Sequence, residues 1–414
     1  MTGMGPEQVA RRRAVEALRS GVPSWDAVSA LGSGQSEAED RFTALLDGAQ
    51  ESRSGGLLLG AGFGAGKSHV LMHLSALALD RGFAVSSVVV SKETPLHDPA
   101  KVLRAAVDTL TGPGRIGGVL ADAVAALDPD SAGYAELRRW VGSSAAGLDE
   151  RFAATLFLHE RLQGGDAPEA QDVLDAAVRF WAGEPLRVPD LHRALKGVGA
   201  GGQFAFPPVP VRELARQRTR FLSRLLRAAG YAGWVVLFDE VELIGRYSLL
   251  QRGRSYAEVA RWSGAAGEDA AAPLATVFAL TDDFEAAVLV GKDDRHQVPN
   301  KMRDKQTPEW AETAALAEKG IRALQRDLLL LSAPDADELD RAYRIVKQLH
   351  ASAYDWSPPD VAGLERLGAT RMRQYVRAWI NAWDLVRLDP AYVPDTEVLD
   401  VSSRYDEDQA LEQG

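Results

Sequence analysis

One stretch restricts the fold of this chain more than any other: residues 56–77, GLLLGAGFGAGKSHVLMHLSAL. Leu57, Leu58 and Leu59 form a short apolar run between glycines, which predicts a buried strand of a parallel sheet. After the glycine-rich loop, apolar residues recur at helical spacing over residues 68–80. The order of strand, glycine loop and helix predicts an α/β fold whose first crossover helix begins at the loop.

The loop matches two glycine patterns at once. Residues 60–65, GAGFGA, match the dinucleotide-binding fingerprint, whereas residues 61–68, AGFGAGKS, match the phosphate-binding loop of nucleoside triphosphatases. Lys67 and Ser68 favour the second interpretation, because the ammonium group can reach β- and γ-phosphates and the hydroxyl can ligate Mg²⁺. A dinucleotide site would need an acidic residue at the end of the next strand, FAVSSVVV, but Glu93 comes two residues late.

An acidic doublet follows a second apolar run. Residues 233–244, GWVVLFDEVELI, predict a strand that ends in Asp239 and Glu240. We expect this strand to lie beside the strand of the loop, so that Asp239 holds Mg²⁺ and Glu240 orients and deprotonates the attacking water. A solvent-facing acidic strand end is the alternative for this segment taken alone. Its occurrence together with Lys67 and Ser68 favours a site that holds the triphosphate of ATP.

The predicted site therefore combines a nucleotide-binding loop with two ligands for Mg²⁺, Ser68 and Asp239. The residues expected to contact the nucleotide are Ala61, Gly62, Phe63, Gly64, Ala65, Gly66, Lys67, Ser68 and His69. Ala61 replaces the glycine that usually opens the pattern, a position where only a small side chain is required. The residues expected to act in catalysis are Lys67, Glu240, Thr281 and Arg373.

Thr281 follows a third predicted strand, LATVFAL, at residues 274–280. In phosphate-loop ATPases of the AAA+ class, such a strand carries a polar sensor of the γ-phosphate or the water at its tip, and we assign that role to Thr281. A helix N-cap formed by Thr281 or Asp282 is the alternative. Arg322 and Arg326 precede the next strand and are candidates for an arginine finger in a neighbouring subunit, although solvated arginines are the simpler interpretation.

The C-terminal part of the chain is helical. Apolar residues at helical spacing predict a small helical lid over residues 333–390. Arg373 is our first candidate, and Arg371 the second, for a lid arginine that reaches the γ-phosphate. A solvated arginine face is the alternative.

The distance in sequence between Lys67 and Asp239 predicts a helical insertion at about residues 100–230. Its last helix is rich in arginine, and a second basic stretch follows Asp239. The arginines concerned are Arg212, Arg216, Arg218, Arg220, Arg224 and Arg227, then Arg246, Arg252, Arg254 and Arg261. Contact with a DNA phosphate backbone and intramolecular salt bridges are both open as explanations.

Composition limits the functional classes. The chain has no cysteine, which excludes disulfides and thiolate chemistry and fits a reducing cytoplasm, where we expect the protein. No apolar run approaches the length of a membrane span. The net charge of −11 argues against a uniformly basic nucleic-acid-binding protein. His69 and His73 have metal-binding spacing but lack an evident third ligand, so packing is the preferred role.

Three blocks of sequence together support a family assignment. The phosphate loop, the segment containing SKETPL, and the segment containing DEVE resemble the ATP-binding proteins of bacterial BREX phage-exclusion systems, the BrxC/BrxD type, and most closely its short BrxD-like form. The resemblance extends from about residue 10 to about residue 390. The helix RMRQYVRA resembles the family's PRQFLR element, although Met372 replaces its proline.

The resemblance implies an AAA+ ATPase that works beside helicase, methyltransferase or other DNA-handling proteins in phage defence. We therefore expect a P-loop ATPase that hydrolyses ATP with Mg²⁺, forms a homo-oligomer and drives a DNA-associated complex. The alternatives are a non-motor scaffold that binds ATP, and a P-loop small-molecule kinase. The predicted organisation is N-terminal helices (1–55), an ATPase core (56–332) containing the insertion, the lid (333–390) and an acidic, disordered tail (391–414).

Overall fold

The computed structural model describes residues 5–22, 24–62, 65–164, 167–267, 272–361 and 372–392. Within them the chain forms a seven-stranded sheet flanked by helices, so the predicted α/β P-loop NTPase fold is confirmed. The strands are β1 Gly55–Gly60, β2 Ala84–Val89, β3 Thr111–Gly112, β4 Arg115–Ile116, β5 Trp234–Asp239, β6 Leu274–Leu280 and β7 Leu328–Leu330.

The helices lie before, between and after these strands. They are α1 Pro6–Ser20, α2 Trp25–Leu31, α3 Ser36–Gln50, α4 Lys67–Asp80, α5 Pro99–Asp108, α6 Val119–Ala125, α7 Ala132–Val141, α8 Glu150–Leu162, α9 Pro168–Trp181, α10 Val188–Gly197, α11 Val211–Ala228, α12 Leu249–Trp262, α13 Asp294–Arg303, α14 Pro308–Arg326, α15 Ala336–Tyr354 and α16 Met372–Leu388. Shorter turns are the 3₁₀ segments Ser144–Ala146 and Val241–Arg246 and the π-helical segment Glu285–Val290.

The strand order is β4-β3-β2-β5-β6-β1-β7. The four neighbouring pairs β2–β5, β5–β6, β6–β1 and β1–β7 are parallel. The prediction that the strand of Asp239 lies beside the strand of the loop is wrong, because β6 pairs with β1 on one side and with β5 on the other. Apolar periodicity identifies strands but carries no information about their order in the sheet. Helix α4 packs on β5, β2 and β6. Its first turn lies near the end of β5, because Ser68 is hydrogen-bonded to Asp239.

Each central strand buries both faces. In β5, Val235 and Leu237 pack on the side of α3 and α4, whereas Trp234, Val236 and Phe238 pack on the side of α5, α11 and α12. This division follows the two-residue repeat of a strand, since successive side chains point to opposite faces. The sheet is therefore a three-layer sandwich core, and its buried strands hold the ends of β1, β5 and β6 in fixed register.

A separate apolar cluster joins α1, α15 and α16. Val15 and Leu18 of α1 pack with Val346 of α15 and with Trp379 and Trp383 of α16. Arg12 Nε also donates a hydrogen bond to the backbone oxygen of Ala353 at 2.8 Å. Helix α1, which the sequence analysis placed among the N-terminal helices (1–55), thus packs with the two helices of the predicted lid, whose role stays a prediction.

The predicted insertion contains α5 to α11, and all but the first two residues of the predicted acidic tail lie outside the described residues. None of the helices in the described ranges combines the length and apolar character needed to cross a bilayer.

Candidate functional site

The glycine loop connects the end of β1 to the start of α4. Gly66, at the N-cap of α4, has φ 98°, in the left-handed region that favours glycine. A Cβ at this position would meet no atom of the described residues within 4 Å, so the backbone conformation accounts for the glycine. Phe63 and Gly64 lie outside the described residues. The amide groups of the first turn of α4 have no partners within the helix and face the loop, an arrangement suited to an anion.

Lys67 is the first residue of α4, and its side chain is 9% exposed. Its Nζ donates a hydrogen bond to the backbone oxygen of Ala61 at 3.2 Å and lies 3.9 Å from Glu242 Oε1. A buried ammonium group requires compensation by acceptors or counter-charges. In the structure, Lys67 is therefore held inside the loop by one carbonyl and one carboxylate.

Ser68 contacts the end of β5. Its hydroxyl donates a hydrogen bond to Asp239 Oδ2 at 2.6 Å, although the two residues are far apart in sequence. The backbone N–H of Glu240 donates to the other carboxylate oxygen, Asp239 Oδ1, at 2.9 Å. A hydroxyl and a carboxylate in contact provide the hard oxygen ligands that Mg²⁺ prefers. The structure thus brings together the two residues that the sequence predicts as metal ligands.

Glu240 follows Asp239 in an unusual backbone conformation, with φ 57°. Non-glycine residues rarely adopt this conformation, and such residues are found preferentially at functional sites. The side chain is exposed at the end of the sheet. Partial desolvation, and secondly the charge of Asp239, raise the pKa of Glu240 above its ordinary value. A carboxylate with a raised pKa is better suited to accept a proton from water.

Glu242 is a further acidic residue that sequence analysis did not assign to the site. It lies in the turn Val241–Arg246, and its side chain is 12% exposed. Burial raises the pKa of Glu242, an effect that the Lys67 ammonium partly opposes. Its Oε2 is buried without a hydrogen-bond partner in the described part of the chain. The segment DEVE contained the signal, because the short turn after β5 returns its second glutamate towards the loop.

Thr281 lies at the tip of β6, between the loop strand and the strand of Asp239, and is 1% exposed. The loop is joined to this tip by hydrogen bonds from Ala61 N to the oxygen of Leu280 at 3.1 Å and from Asp282 N to the oxygen of Ala61 at 3.3 Å. The helical segment that follows has Phe284 at its N-cap position, and not Thr281 or Asp282. The backbone N–H of Phe284 also donates to the oxygen of Thr281 at 3.2 Å. The sensor role of Thr281 stays a prediction.

A pocket beside the loop is formed where the sheet domain meets the cluster of α1, α15 and α16. Three parts of the chain form its walls. The loop and α4 contribute Ala65, Gly66 and His69, and the N-terminal segment contributes Leu18, Gly21 and Gly32. Helices α15 and α16 contribute Glu338, Arg341 and Arg373. Arg373 Cδ would lie 3.1 Å from a Cβ at Gly21, so a glycine there leaves room for the arginine. Arg371 lies outside the described residues.

The two histidines of α4 contact protein groups. His69 Nε2 lies 2.6 Å from the backbone oxygen of Gly32, and burial lowers the pKa of His69. His73 Nε2 lies 3.1 Å from Glu39 Oε1. His69 thus links α4 to the loop after α2, at one wall of the pocket.

Arg322 and Arg326 are both exposed on α14, and their role as arginine fingers stays a prediction.

Most arginines of α11 contact other parts of the chain. Arg216 pairs with the buried Glu258 at 2.7 Å, and Arg218 donates to the backbone oxygen of Glu184 at 2.7 Å. Arg220 donates to the backbone oxygen of Ala146 at 3.1 Å, and Arg224 stacks over the ring of Trp140 at 3.9 Å. Downstream, Arg252 pairs with Asp294, Arg254 covers the ring of Trp310 and Arg261 pairs with Glu258. These contacts favour the structural explanation of the basic stretches.

Comparison with known proteins adds one finding to this geometry. A family model described as BREX system ATP-binding protein BrxC/D matches residues 7–124 and 214–357, well over half of the chain. The two matched ranges contain the glycine loop, Asp239, Glu240, Glu242 and Thr281. The unmatched stretch between them falls inside the helical insertion. Searches of curated proteins and of solved structures return no match.

Proposed function

The chain belongs to the BREX system ATP-binding protein BrxC/D family, and from this premise we propose that it is an ATPase that binds ATP with Mg²⁺ and hydrolyses it during phage defence. The single observation that carries the proposal is the hydrogen bond between Ser68 and Asp239 beside the buried Lys67. Side chains from two distant motifs meet there in the arrangement that a metal-bound triphosphate requires.

The residues present fit both ATP and its metal ion. The amide groups at the start of α4 and the Lys67 ammonium suit phosphate oxygens, and the pair of Ser68 and Asp239 suits Mg²⁺. When bound, ATP with Mg²⁺ supplies a phosphoanhydride bond whose developing charge is partly neutralised by the metal. The pocket between Gly66, His69 and Arg373 lies directly beside the loop, and we propose it as the place where the base and ribose bind.

The chain's own residues divide the remaining work. Lys67 binds anionic oxygens, Glu240 accepts a proton from the attacking water, and Thr281 orients groups at the tip of β6. Arg373 brings a positive charge from the lid to the loop, so that occupancy of the site changes the position of the lid. Arg322 or Arg326 from a neighbouring copy is the proposed source of a further positive charge.

Two substitutions test the proposal. Lys67→Ala should weaken ATP binding by about a hundredfold, since it removes at least two charge-assisted hydrogen bonds of about 1.5 kcal/mol each. Glu240→Gln should leave ATP affinity unchanged and slow phosphate release at least about a hundredfold, because the proton acceptor is lost. Calorimetric titration with ATP measures the first effect, and steady-state phosphate release measures the second.

Lys301→Ala is the matched control, since Lys301 is an exposed lysine of α13. It should bind and hydrolyse ATP as the unsubstituted protein does. Hydrolysis by Glu240→Gln at the unsubstituted rate would refute the assigned base. An unsubstituted protein that binds ATP but releases no phosphate, with or without duplex DNA, would instead be a nucleotide-gated scaffold, and phosphate transfer to another acceptor would indicate a kinase.

We also propose that the protein acts in the cytoplasm as a homo-oligomer that drives a DNA-associated complex of other BREX proteins. The family assignment supports these partners. The internal contacts of the α11 arginines favour DNA contact through partner proteins over direct binding by this helix. Measurement of the particle mass with and without ATP and duplex DNA tests this proposal. A protein that stays monomeric with ATP would refute the homo-oligomer. Assembly of the protein on DNA without partner proteins would instead indicate direct DNA binding.

A further inference from the structure

We propose that Glu242 is the internal counter-ion of Lys67, that the phosphates of a nucleotide must displace it, and that it thereby limits how tightly the loop binds nucleotides. The inference rests on the proposed function, because it concerns the same loop. Glu242 is a positioning residue in this scheme, since it acts through Lys67.

The first step is the position of the Lys67 ammonium. Its side chain is 9% exposed, and the contacts of its Nζ in the described part of the chain are the backbone oxygen of Ala61 at 3.2 Å and Glu242 Oε1 at 3.9 Å. The carbonyl supplies a dipole, so the compensating negative charge comes from Glu242. Asp239, the half-buried acid at the end of β5, is bonded to Ser68 and to the backbone of Glu240.

The second step is that Glu242 is poorly satisfied. Its Oε2 is buried with no hydrogen-bond partner among the described residues. The carboxylates of Asp239 and Glu240, at the end of the adjacent strand, act on it with like charge. A buried ion pair that serves stability alone is expected to be close and fully hydrogen-bonded. The carboxylate of Glu242 does receive a hydrogen bond from its own backbone N–H, but the 3.9 Å separation from Lys67 and the unpartnered Oε2 are the features of a loosely held ion pair.

The third step is competition. A phosphate group carries more charge and more acceptor oxygens than one carboxylate, so Lys67 exchanges partners when a nucleotide enters. Part of the binding free energy is then used to separate Lys67 from Glu242 and to bring phosphate oxygens near a carboxylate. Replacement of Glu242 by an uncharged residue of the same shape removes both opposing effects.

The test is calorimetric titration of the full chain with ATP and with ADP, in the presence of Mg²⁺. Glu242→Gln should bind both nucleotides about tenfold more tightly than the unsubstituted protein, the gain expected from removing one opposing, partly buried ion pair. Glu242→Asp retains the charge on a shorter side chain and should give a smaller increase of about threefold. Equal or weaker affinity in a folded Glu242→Gln variant would overturn the inference.

Glu258→Gln is the matched control for a purely structural effect. Glu258 is a buried carboxylate paired with Arg216 and Arg261, near the start of β6 and so at the opposite end of the strands from the loop. Both glutamine variants should melt below the unsubstituted protein without nucleotide, but only Glu242→Gln should change nucleotide affinity. If Glu242→Gln does not fold, Glu242→Asp carries the test, and affinity at or below the unsubstituted value then overturns the inference.

Failure of the inference differs from failure of the proposed function. If the unsubstituted protein binds no ATP, both fall. If it binds ATP, Lys67→Ala does not, and the Glu242 variants bind as the unsubstituted protein does, the counter-ion role alone is refuted.

Discussion

Two buried ion pairs in this molecule have opposite character. Arg252 donates to Asp294 from Nε at 2.8 Å and from Nη2 at 2.9 Å, while the Tyr256 hydroxyl donates to the same carboxylate at 2.6 Å. Lys67 and Glu242 are 3.9 Å apart, and one oxygen of Glu242 has no partner in the described residues. The first pair is complete without any ligand. The second lies beside the glycine loop and leaves its groups free to exchange partners.

The difference separates a buried ion pair that stabilises the fold from one that we propose to take part in nucleotide binding. Arg252 also donates to the backbone oxygen of Tyr247 at 2.7 Å, so the complete pair fastens α12 to α13 and to the turn before it. Each hydrogen bond of this pair raises the free energy needed to separate Arg252 from Asp294, because hydrogen bonds are stronger in an interior of low dielectric constant. The pair of Lys67 and Glu242, the incomplete pair, has fewer such bonds, so less free energy is needed to separate its two charges.

The largest expected effect is on the complete pair. Asp294→Asn should lower the free energy of unfolding by about 3–5 kcal/mol, because it leaves the buried Arg252 without its counter-charge. Urea unfolding followed by tryptophan fluorescence measures this change. Nucleotide affinity measured on the folded variant should stay within about twofold of the unsubstituted value. A loss below about 1 kcal/mol would mean that the pair is not the fastening that its geometry indicates.

A second prediction concerns His97, which packs edge-on against Tyr247 and so extends the region around the complete pair. Burial, and secondly Arg212, lower the pKa of His97 from 6.5 to about 4. As the pH falls from 6.5 to about 4, the unfolded chain binds a proton that the folded chain does not, so stability is lost by up to about 3 kcal/mol.

His97→Asn should remove this loss, which urea unfolding at pH 7 and pH 4.5 measures as a smaller difference between the two pH values. His192→Asn, at an exposed histidine, is the control and should keep the difference of the unsubstituted protein. An unchanged difference in His97→Asn would show that His97 is not responsible.

The smallest expected effect is on the incomplete pair. Lys67→Met keeps the apolar stem and removes the charge, and it should change the free energy of unfolding by less than about 1 kcal/mol, because Glu242, with its raised pKa, can take up a proton. The same variant should lose nucleotide binding. A destabilisation as large as that of Asp294→Asn would break the comparison, because the two pairs would then serve the fold equally.

Sequence alone predicts the parts of the site that depend on local pattern. The order of apolar run, glycines and Lys67 encodes β1, the loop and α4, since strand, turn and helix each have a short-range signature. Asp239 and Glu240 follow an apolar run for the same reason. The strand order was predicted wrongly, because the position of β6 between β1 and β5 depends on crossover packing over the whole sheet.

Two other features depend on long-range packing and were not predicted. The periodicity of α1 shows that one face is buried but not that Val15 and Leu18 meet the tryptophans of the lid. Glu242 is one acid among many in the sequence, and its importance follows only from its distance to Lys67. The contacts of Arg218 and Arg224 likewise separate structural arginines from a basic surface only once the fold is known.

The packing of α1 on α15 and α16 has a practical consequence. We expect α1 to move together with α15 and α16 in any rearrangement, because they share one apolar cluster, whereas α3 packs on the sheet. Because the chain contains no native thiol, one cysteine introduced on the exposed side of each of these two helices would take dyes without side reactions. Energy transfer between the dyes would then test whether the distance between α1 and α3 changes when ATP is added, using only the first 50 residues.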